Sequence, residues 1–327
     1  MKVLVTGGAG FIGSHLTELL LAEEHEVTVV DNLSTGSLEN LVHLEGHPRL
    51  EVIVDSALNQ PRMNALVPRH DIVFHLAAAV GVKWIIENPL QSIETNLRAT
   101  EIVLAAAAQR GTPVLIASTS EVYGKNERVP LREDDDSVIG STQITRWLYA
   151  NTKATDEFLA LAYHRERGVP VVIARFFNTV GPRQSGRYGM VVPRFVSQAL
   201  RGEPVTIYGT GMQSRCFTDV RDSVRAIYEL MRHPRAFGEV FNIGNPEEIT
   251  ILDLAKLILR LTGSTSEIQF IPYHEAYPHG FEDMLRRVPC VEKLRSYLGW
   301  APSIPLEENL RRVIDQMRTT LVSVGGS

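Results

Sequence analysis

The N-terminal stretch constrains the fold of this chain more than any other. An apolar, β-branched run over residues 2–6 breaks into glycines, and a helical pattern of leucines follows over residues 14–21. That order predicts a strand, a tight turn and a helix. Gly8, Gly10 and Gly13 fit the spacing G-x-G-x-x-G. Small residues at this spacing let the backbone approach a pyrophosphate, to which the helix N-terminus offers amide donors.

A second predicted strand, Glu26–Asp31, gives the glycines their context. It ends in an acid at roughly the 20-residue distance that suits the ribose hydroxyls of a dinucleotide. This context favours a dinucleotide site over the alternative, a glycine turn of some other α/β protein. Because a carboxylate would repel the 2′-phosphate of NADP, Asp31 predicts NAD. The predicted NAD contacts are Gly7, Gly10, Phe11, Ile12, Gly13, Asp31, Asn32, Asp55, Leu76, Ala77, Ala78, Tyr149 and Lys153.

Strand and helix patterns then alternate along the chain. Strands are predicted at 50–55, 71–78, 114–118 and 169–177, and helices at 96–108 and 149–167. Such alternation predicts an α/β fold, a Rossmann-like doubly wound parallel sheet whose ligands lie outside the carboxyl ends of the strands. Asp55, at the end of one of these strands, is placed to reach the adenine amine.

The pattern changes after Pro182, which predicts a second, smaller lobe. Helices are expected at 190–201, 219–233, 250–263 and 306–317, with a turn-rich strand at 204–211 and a return to the sheet at 240–244. Thr250 and Asp253 fit a capping box. We therefore predict an NAD-binding Rossmann domain over 1–178, to which 212–245 return. A mixed C-terminal substrate-binding lobe is expected over 179–211 and 246–321, and a frayed tail over 322–327.

Composition excludes several classes of partner. The 33 Lys and Arg residues against 38 Asp and Glu give a net charge of −5, which argues against nucleic acid and acidic membrane surfaces. No apolar segment of ~20 residues is present to span a membrane. Two cysteines, Cys216 and Cys290, cannot form a disulfide framework, so we expect a cytoplasmic protein. The histidines lack metal-ligand spacing, and no metal is predicted.

Tyr149 and Lys153 carry the strongest catalytic signal. At positions i and i+4 of a predicted helix they share one face, with the ammonium near the phenol. A phenol titrates near ~10 in water, and a neighbouring cation and an oxidised nicotinamide would both favour the phenolate, a working base. An ordinary surface Tyr/Lys pair is the alternative. The dinucleotide turn and a strand ending in Ser118-Thr119-Ser120 favour catalysis.

Three motifs together resemble the extended short-chain dehydrogenase/reductase family acting on nucleotide sugars. They are Thr6-Gly-Gly-Ala-Gly-Phe-Ile-Gly13, Tyr149-x-x-x-Lys153 and Arg175-Phe-Phe-Asn-Thr-Val-Gly-Pro-Arg183. The resemblance implies a tightly held NAD that oxidises the sugar C4 hydroxyl and later returns the hydride. It implies that Thr119 stabilises the C4 oxygen, Tyr149 is the base and Lys153 grips the nicotinamide ribose.

The same resemblance implies a UDP-sugar substrate and a homodimer. Residues that fall where the family contacts its substrate are Asn178, Arg183, Val192, Tyr208, Arg215 and Arg287. Arginines suit a diphosphate because they are permanent cations with bidentate geometry. The amphipathic segments 96–109 and 149–166 correspond to helices that pair into a four-helix bundle, and their apolar faces would otherwise be exposed.

Within this family the motifs resemble the UDP-glucuronate decarboxylases. Thr119-Ser-Glu121 carries a glutamate where 4-epimerases have a small neutral residue, and Ser120 replaces the dehydratase aspartate. Segments 140–149 and 280–289 also resemble that branch, the second contributing Arg287. The resemblance therefore adds Ser120, Glu121 and Arg287 to the predicted catalytic set. Oxidation at C4 would make the C6 carboxylate a β-keto acid that loses CO2 without a metal.

Alternatives stay open at this point. Glu121 could be a helix-start carboxylate, and Arg287 could be a surface or diphosphate contact. The motif around Arg175 also suits UDP-glucose or UDP-glucuronate 4-epimerases. A non-catalytic dinucleotide-binding sensor is a further possibility, although the intact Tyr149 and Lys153 argue against it.

Overall fold

The computed structural model describes residues 1–79, 85, 87–186, 189–276, 282 and 284–325, with the backbone alone for 322–325. Gly280, Phe281 and Asp283 of the segment quoted above, and residues 326–327 of the predicted tail, lie outside that description. The strands are β1 (Lys2–Thr6), β2 (Glu26–Asp31), β3 (Leu50–Val54), β4 (Ile72–His75), β5 (Val114–Thr119), β6 (Val171–Phe176), β7 (Thr179–Val180), β8 (Val205–Tyr208), β9 (Ser214–Cys216), β10 (Thr218–Asp219), β11 (Glu239–Ile243), β12 (Glu248–Thr250) and β13 (Ile268–Ile271).

The helices flank these strands. They are α1 (Phe11–Ala22), α2 (Gln60–Leu66), α3 (Pro89–Ala108), α4 (Leu148–Arg167), α5 (Val191–Arg201), α6 (Val220–Met231), α7 (Ile251–Thr262), α8 (Tyr273–Ala276), α9 (Glu292–Leu298) and α10 (Leu306–Gly325). Among the described residues, no helix combines the length and apolar character that crossing a bilayer requires.

Seven parallel strands form the central sheet, in the order β3-β2-β1-β4-β5-β6-β11. Val3 of β1 pairs with Val27 on one side and with Ile72 on the other, so β1 lies at the centre of the sheet. The predicted Rossmann-like α/β fold is confirmed. Connections run outward in both directions from the β1–β4 boundary, and this reversal opens a crevice at the carboxyl ends of the strands.

Both faces of the sheet are buried, which explains its continuous apolar strands. Along β1, Val3 and Val5 pack into the core shared with α1 and α6, while Leu4 packs into the core shared with α2, α3 and α4. This period-two alternation fixes the register, because a shift of one residue would exchange the two faces.

The second lobe has its own core between α5, α7 and α10, centred on Phe195, Leu254 and Leu310. Its strands pair as β8 with β13 and β9 with β12. The Thr250 Oγ1 accepts a hydrogen bond from the Asp253 backbone N–H at 3.0 Å, so the predicted cap of α7 is confirmed.

Two helices are longer than the sequence predicts. Helix α3 begins at Pro89 rather than Asn96, because proline suits the first helical turn, where its missing N–H has no partner to lose. Helix α10 continues past Met317 to Gly325. In the added turns of α3 only Ser92 is buried, so the buried apolar pattern that marks the rest of the helix does not extend to them.

Candidate active site

A cleft of about 920 Å³ lies between the carboxyl ends of the sheet strands and the second lobe. Every residue that the sequence predicts for the NAD, catalytic and substrate sites lines this cleft, except Lys153, which is buried behind it. The topology therefore brings together residues from opposite ends of the chain, such as Gly7 and Arg287. In the described part of the chain, no group of three or more His, Cys, Asp or Glu side chains could hold a metal ion.

The glycine turn fits the close approach of a pyrophosphate. Gly7 has a φ of +74°, and a Cβ there would lie 2.8 Å from the Ala77 backbone nitrogen. A Cβ on Gly13 would collide with the Gly7 carbonyl oxygen. Gly10 precedes α1 without any side-chain cap, so the first amides of the helix stay available to a ligand. The residues present fit the predicted dinucleotide.

Asp31 is fixed at the end of β2 by the backbone. The Ala9 N–H donates to its Oδ2 at 3.0 Å and the Leu33 N–H to its Oδ1 at 2.8 Å. Burial raises the pKa of Asp31, and these backbone bonds oppose the rise. Each carboxylate oxygen can accept a second hydrogen bond, which suits a ribose hydroxyl.

Asp55 is held at the end of β3 in a similar way. It accepts from the Ser56 N–H at 2.7 Å, from Asn59 Nδ2 at 2.9 Å and from Arg62 Nε at 3.1 Å. These bonds, the Ser56 one first, lower the pKa of Asp55. Its carboxylate lines the cleft while its orientation is fixed by three donors.

Thr119, Tyr149 and Lys153 come from two neighbouring elements. Thr119 ends β5, where its Oγ1 accepts from the Glu121 N–H at 3.2 Å, and Tyr149 lies in the first turn of α4. Lys153 Nζ donates to Asp156 Oδ2 at 2.8 Å. Burial raises the pKa of Tyr149, the Glu121 and Asp156 carboxylates raise it further, and Arg146 opposes them.

The sequence-based expectation for the phenol therefore needs a correction. Lys153 was predicted to draw the Tyr149 pKa down, but its ammonium is hydrogen-bonded to Asp156, a carboxylate that acts on the phenol in the opposite direction. The i, i+4 spacing correctly placed both side chains on one face of α4. It could not reveal a third charge on that face.

A buried charge cluster lies beside this group. The Glu121 carboxylate forms an ion pair with Arg146 Nη1, and Arg287 Nη1 lies 3.6 Å from its Oε1. Arg287 also contacts Ser120 Oγ and Asn178 Oδ1, each at 3.4 Å. Burial opposes ionisation of Glu121, but Arg146 and Arg287 outweigh it and hold the Glu121 pKa below its usual value. One carboxylate thus faces two guanidinium groups at the cleft wall.

Sequence reasoning missed two arginines that line the cleft. Arg146 lies in the 3₁₀ turn Thr145–Trp147, three residues before Tyr149, a spacing that could have placed it on the catalytic face. The Arg194 guanidinium stacks over the Tyr208 ring at 4.0 Å. Its Nε and Nη1 are buried without a hydrogen-bond partner among the described residues, so these donors suit an acceptor-rich ligand.

The remaining predicted substrate contacts also line the cleft, and Asn178 lies beside Arg287 of the charge cluster. Asn178 Nδ2 donates to the Cys216 carbonyl at 3.1 Å, and Arg215 Nη1 donates to the Ser214 carbonyl at 2.7 Å. Val192 lies in the first turn of α5, which packs against β8, the strand that carries Tyr208.

Arg183 lies at the wall shared with α1. Its Nη2 donates to Glu18 Oε2 and to His15 Nδ1, each at 2.6 Å. Burial and the nearby Arg183 cation lower the pKa of His15 to about 4. The Arg183 charge is already paired with Glu18. A contact between Arg183 and a diphosphate therefore stays a prediction.

The sequence of this chain is similar to those of known proteins over nearly its whole length. Residues 3–244 match the NAD dependent epimerase/dehydratase family. A UDP-N-acetyl-alpha-D-glucosaminuronate decarboxylase from Bacillus cytotoxicus is 43% identical over 97% of this chain and 98% of its own length. UDP-glucuronic acid decarboxylase 1 from Danio rerio is 41% identical over 96% of this chain and 72% of its own length.

Solved structures are similar over nearly the whole chain. A UDP-glucuronic acid 4-epimerase from Bacillus cereus, crystallised with UDP-glucuronic acid and NAD, superposes with a TM-score of 0.89 at 29% identity. The match covers 98% of this chain and 100% of that one.

Proposed function

The chain belongs to the NAD dependent epimerase/dehydratase family, which confirms the predicted family and cofactor, and from this premise we propose that it decarboxylates a UDP-hexuronate. UDP-glucuronate is the proposed substrate. The observation that carries the proposal is the buried Glu121 between Arg146 and Arg287, next to Thr119 and Tyr149 in one cleft. Relatives at 43% and 41% identity that are named as decarboxylases of UDP-uronates support it.

NAD, when bound, accepts the hydride from C4 of the sugar and later returns it. Tyr149 takes the proton of the C4 hydroxyl, and Thr119 donates a hydrogen bond to the C4 oxygen as it becomes a carbonyl. Lys153 holds the ribose next to this group. At the end of the cycle Tyr149 gives its proton back to the C4 oxygen.

Between these steps the 4-ketone makes the C6 carboxylate a β-keto acid. The C5–C6 bond breaks, its electron pair moves into the ketone as an enolate, and CO2 leaves. Arg287 stabilises the developing negative charge, and Glu121 orders a water molecule that passes a proton from the solvent to C5. An ionised Glu121 suits this orienting role because its pKa lies below the usual range. Ser120 contacts Arg287 and keeps it in place.

We assign the two lobes to the two ligands. Residues 1–178 together with 212–245 would bind NAD, and 179–211 together with 246–321 would bind the nucleotide sugar. Support comes from the glycine turn and Asp31 on one side of the cleft. On the other side, the proposed UDP contacts Arg183, Val192, Arg194 and Tyr208 come from the sugar-binding ranges, whereas Asn178 and Arg215 reach the same cleft from the NAD-binding ranges.

Two alternatives share the first oxidation step. A 4-epimerase would skip decarboxylation and return the hydride to the opposite face of C4, and the similar Bacillus cereus structure supports keeping it. A substrate bearing N-acetyl at C2 would undergo the same loss of CO2, in keeping with the Bacillus cytotoxicus relative.

One assay separates these functions. Purified enzyme is incubated separately with UDP-glucuronate, UDP-N-acetylglucosaminuronate and UDP-glucose, and the products are followed by mass spectrometry and NMR. We expect CO2 loss and a UDP-pentose from UDP-glucuronate. Retention of mass with inversion at C4 would establish the epimerase instead, and no turnover of any sugar by NAD-loaded protein would favour a sensor. Tyr149→Phe should show almost no NADH absorbance.

The cofactor assignment has its own test. Asp31→Ala removes the carboxylate proposed to bind the adenosine ribose, so NAD affinity measured by calorimetry should fall strongly. Asp315→Ala, which removes an exposed aspartate outside the cleft, serves as the matched control. Equal NAD binding by Asp31→Ala and the parent would contradict the assigned role of Asp31.

A homodimer through a four-helix bundle of α3 and α4 is the proposed assembly. On these two packed helices Leu90 is 67%, Ile93 36% and Phe158 73% exposed, which is an unusual apolar set for a lone surface. Light scattering at micromolar concentration should give a dimer, and Phe158→Glu should shift it toward monomer. A monomeric parent would refute the bundle.

We also propose a cytoplasmic location. Cys216 and Cys290 are both free and buried, as expected for a protein kept in a reducing compartment. Fractionation of cells that produce the protein should recover it with cytoplasmic markers, and recovery in an oxidising compartment would contradict the proposal.

A further inference from the structure

A buried acid that the proposed reaction does not use lies on the helix that carries Tyr149. Asp156 is 0% exposed, and its Oδ2 accepts the hydrogen bond from Lys153 Nζ at 2.8 Å. Tyr149, Lys153 and Asp156 are spaced i, i+4 and i+7, so they share one face of α4. Asp156 is therefore the third member of a line that starts at the proposed base.

Burial raises the pKa of Asp156, and Lys153 is the main group that opposes the rise, with a smaller contribution from Thr100. Asp156 Oδ1 has no hydrogen-bond partner within the part of the chain that the structure describes. The neighbouring acid, Glu157, is instead engaged by Arg175 at 2.7 Å. From β4, His75 faces the pair, and burial together with the Lys153 cation lowers the pKa of His75 to about 3, so the imidazole is neutral.

A buried pair of this kind contributes little to the stability of the fold. A buried ion pair gains little over apolar side chains unless every lone pair is satisfied, and one oxygen of Asp156 is left without a partner. An unpaired charge would be costlier still, so the pair persists where the lysine itself is needed. The placement of Asp156 points to a role that acts through Lys153.

We propose, resting on the roles assigned above to Tyr149 and Lys153, that Asp156 is a positioning residue that fixes the Lys153 ammonium and cancels its positive charge at Tyr149. With that charge cancelled, Tyr149 keeps its proton by default. The positive charge of an oxidised nicotinamide then decides when the proton leaves. Once the nicotinamide has been reduced and is neutral, Tyr149 holds the proton it must later return.

Several charged side chains surround Tyr149, and a test must separate their effects on the Tyr149 pKa. Glu121 and Arg146 act on the phenol from the 3₁₀ turns, and Asp156 acts on it from its own helix, where Lys153 lies one turn after Tyr149. Burial and the two carboxylates raise the Tyr149 pKa, and Arg146 lowers it. Substitutions confined to Lys153 and Asp156 leave Glu121 and Arg146 unchanged.

The test is a titration of Tyr149 by NMR of tyrosine-labelled protein with NAD bound, using Tyr149→Phe to identify its signal. Asp156→Asn should move the titration to lower pH by about one unit, and Lys153→Met should move it to higher pH. The double variant Lys153→Met/Asp156→Asn should titrate near the parent, because both charges are gone. Asp156→Glu, which keeps the charge, should restore the parental value.

If Asp156→Asn does not fold, the comparison of Lys153→Met with the double variant still decides. Equal titrations in those two proteins would show that Asp156 contributes no charge at Tyr149 and would overturn the proposal. So would an unmoved titration in folded Asp156→Asn. No sugar nucleotide is used, so a failure of the proposed decarboxylation appears in the product assay and leaves this titration unaffected.

Discussion

Two buried carboxylate–guanidinium clusters lie near the end of β5, and they differ in what they face. Glu157 and Arg175 form a closed pair, with Arg175 Nη2 at 2.7 Å from Oε2 and Nε at 2.9 Å from Oε1. The third arm of Arg175 donates to the Glu133 carbonyl at 3.1 Å. Neither Glu157 nor Arg175 lines the cleft.

The second cluster, Glu121 with Arg146 and Arg287, opens onto the cleft with all three side chains. Its guanidinium groups outnumber its carboxylate, so the cluster presents net positive charge to a ligand. A buried ion pair is thus not in itself a sign of function. The unbalanced stoichiometry and the contact with the cleft are what suit the open cluster to an anionic substrate, whereas the closed pair fixes α4 against β6.

The largest effect expected from this comparison is on chemistry at the open cluster. Glu121→Gln should lower CO2 release from UDP-glucuronate by roughly 10²–10⁴-fold, the size typical of a positioned acid/base or charge contact. NADH should still form, because C4 oxidation needs Thr119, Tyr149 and Lys153. Stopped-flow absorbance and trapped CO2 measure the two steps. If Glu121→Gln released CO2 at the parental rate, the functional role of the open cluster would be contradicted.

The closed pair should instead respond in stability. Glu157→Gln leaves the Arg175 cation without its partner carboxylate, and such a loss typically costs about 3–5 kcal/mol in the free energy of unfolding. Denaturant unfolding measures it, with the exposed Glu166→Gln on the same helix as control. The comparison predicts that Glu157 acts on stability and Glu121 on chemistry. It would be contradicted if Glu157→Gln were as stable as the parent and released CO2 as slowly as Glu121→Gln.

A smaller effect is expected when Arg146 keeps its charge and loses its shape. Arg146→Lys retains a cation beside Glu121, but an ammonium cannot reproduce the planar guanidinium contact. We expect kcat/KM to fall by about tenfold, equivalent to ~1.4 kcal/mol of transition-state stabilisation. Arg128→Lys, at an exposed arginine outside the cleft, is the control. An unchanged kcat/KM would mean that Arg146 acts through its charge alone.

The smallest expected effect is on the pH dependence of stability. Burial raises the folded-state pKa of Glu121, but the Arg146 and Arg287 cations outweigh it and hold that pKa below the value of an ordinary, unfolded-state glutamate. The stability that ionised Glu121 contributes is therefore fully present above that value and is lost as the pH falls through the lower folded pKa. The unfolding free-energy difference between the parent and Glu121→Gln should shrink over this acid range. A difference that grows on acidification would contradict the sign.

Local patterns were enough to predict much of the fold and part of the site. The glycine turn, Asp31 and the Tyr149/Lys153 spacing each depend on residues close together in the chain, and the structure places all of them except Lys153 on one cleft. Arg146 and Asp156 were missed because their importance comes from charges that other elements bring to them. The Tyr149 pKa was misjudged for the same reason, since Glu121 and Asp156 oppose the lysine effect.

Resemblance supplied what local patterns could not, namely the grouping of Glu121 with Arg287. These two residues are far apart in the sequence, and no periodicity or spacing links them. Arg183 marks the limit of residue-by-residue transfer, because its charge is paired with Glu18 on α1. A motif can identify a cation, but only the packed neighbours show how much of its charge is left for a ligand.

The position of β11 has a consequence for synthesis of the chain. This outer strand pairs with β6, yet it leaves the ribosome only after the first strands and helix of the second lobe. At translation rates of roughly 5–20 residues per second, the apolar edge of β6 stays open for several seconds. A fragment ending at residue 178 would keep that edge permanently, and an exposed strand of this kind recruits other chains. The dinucleotide half of the molecule is therefore expected to need its distant partner strand to escape aggregation.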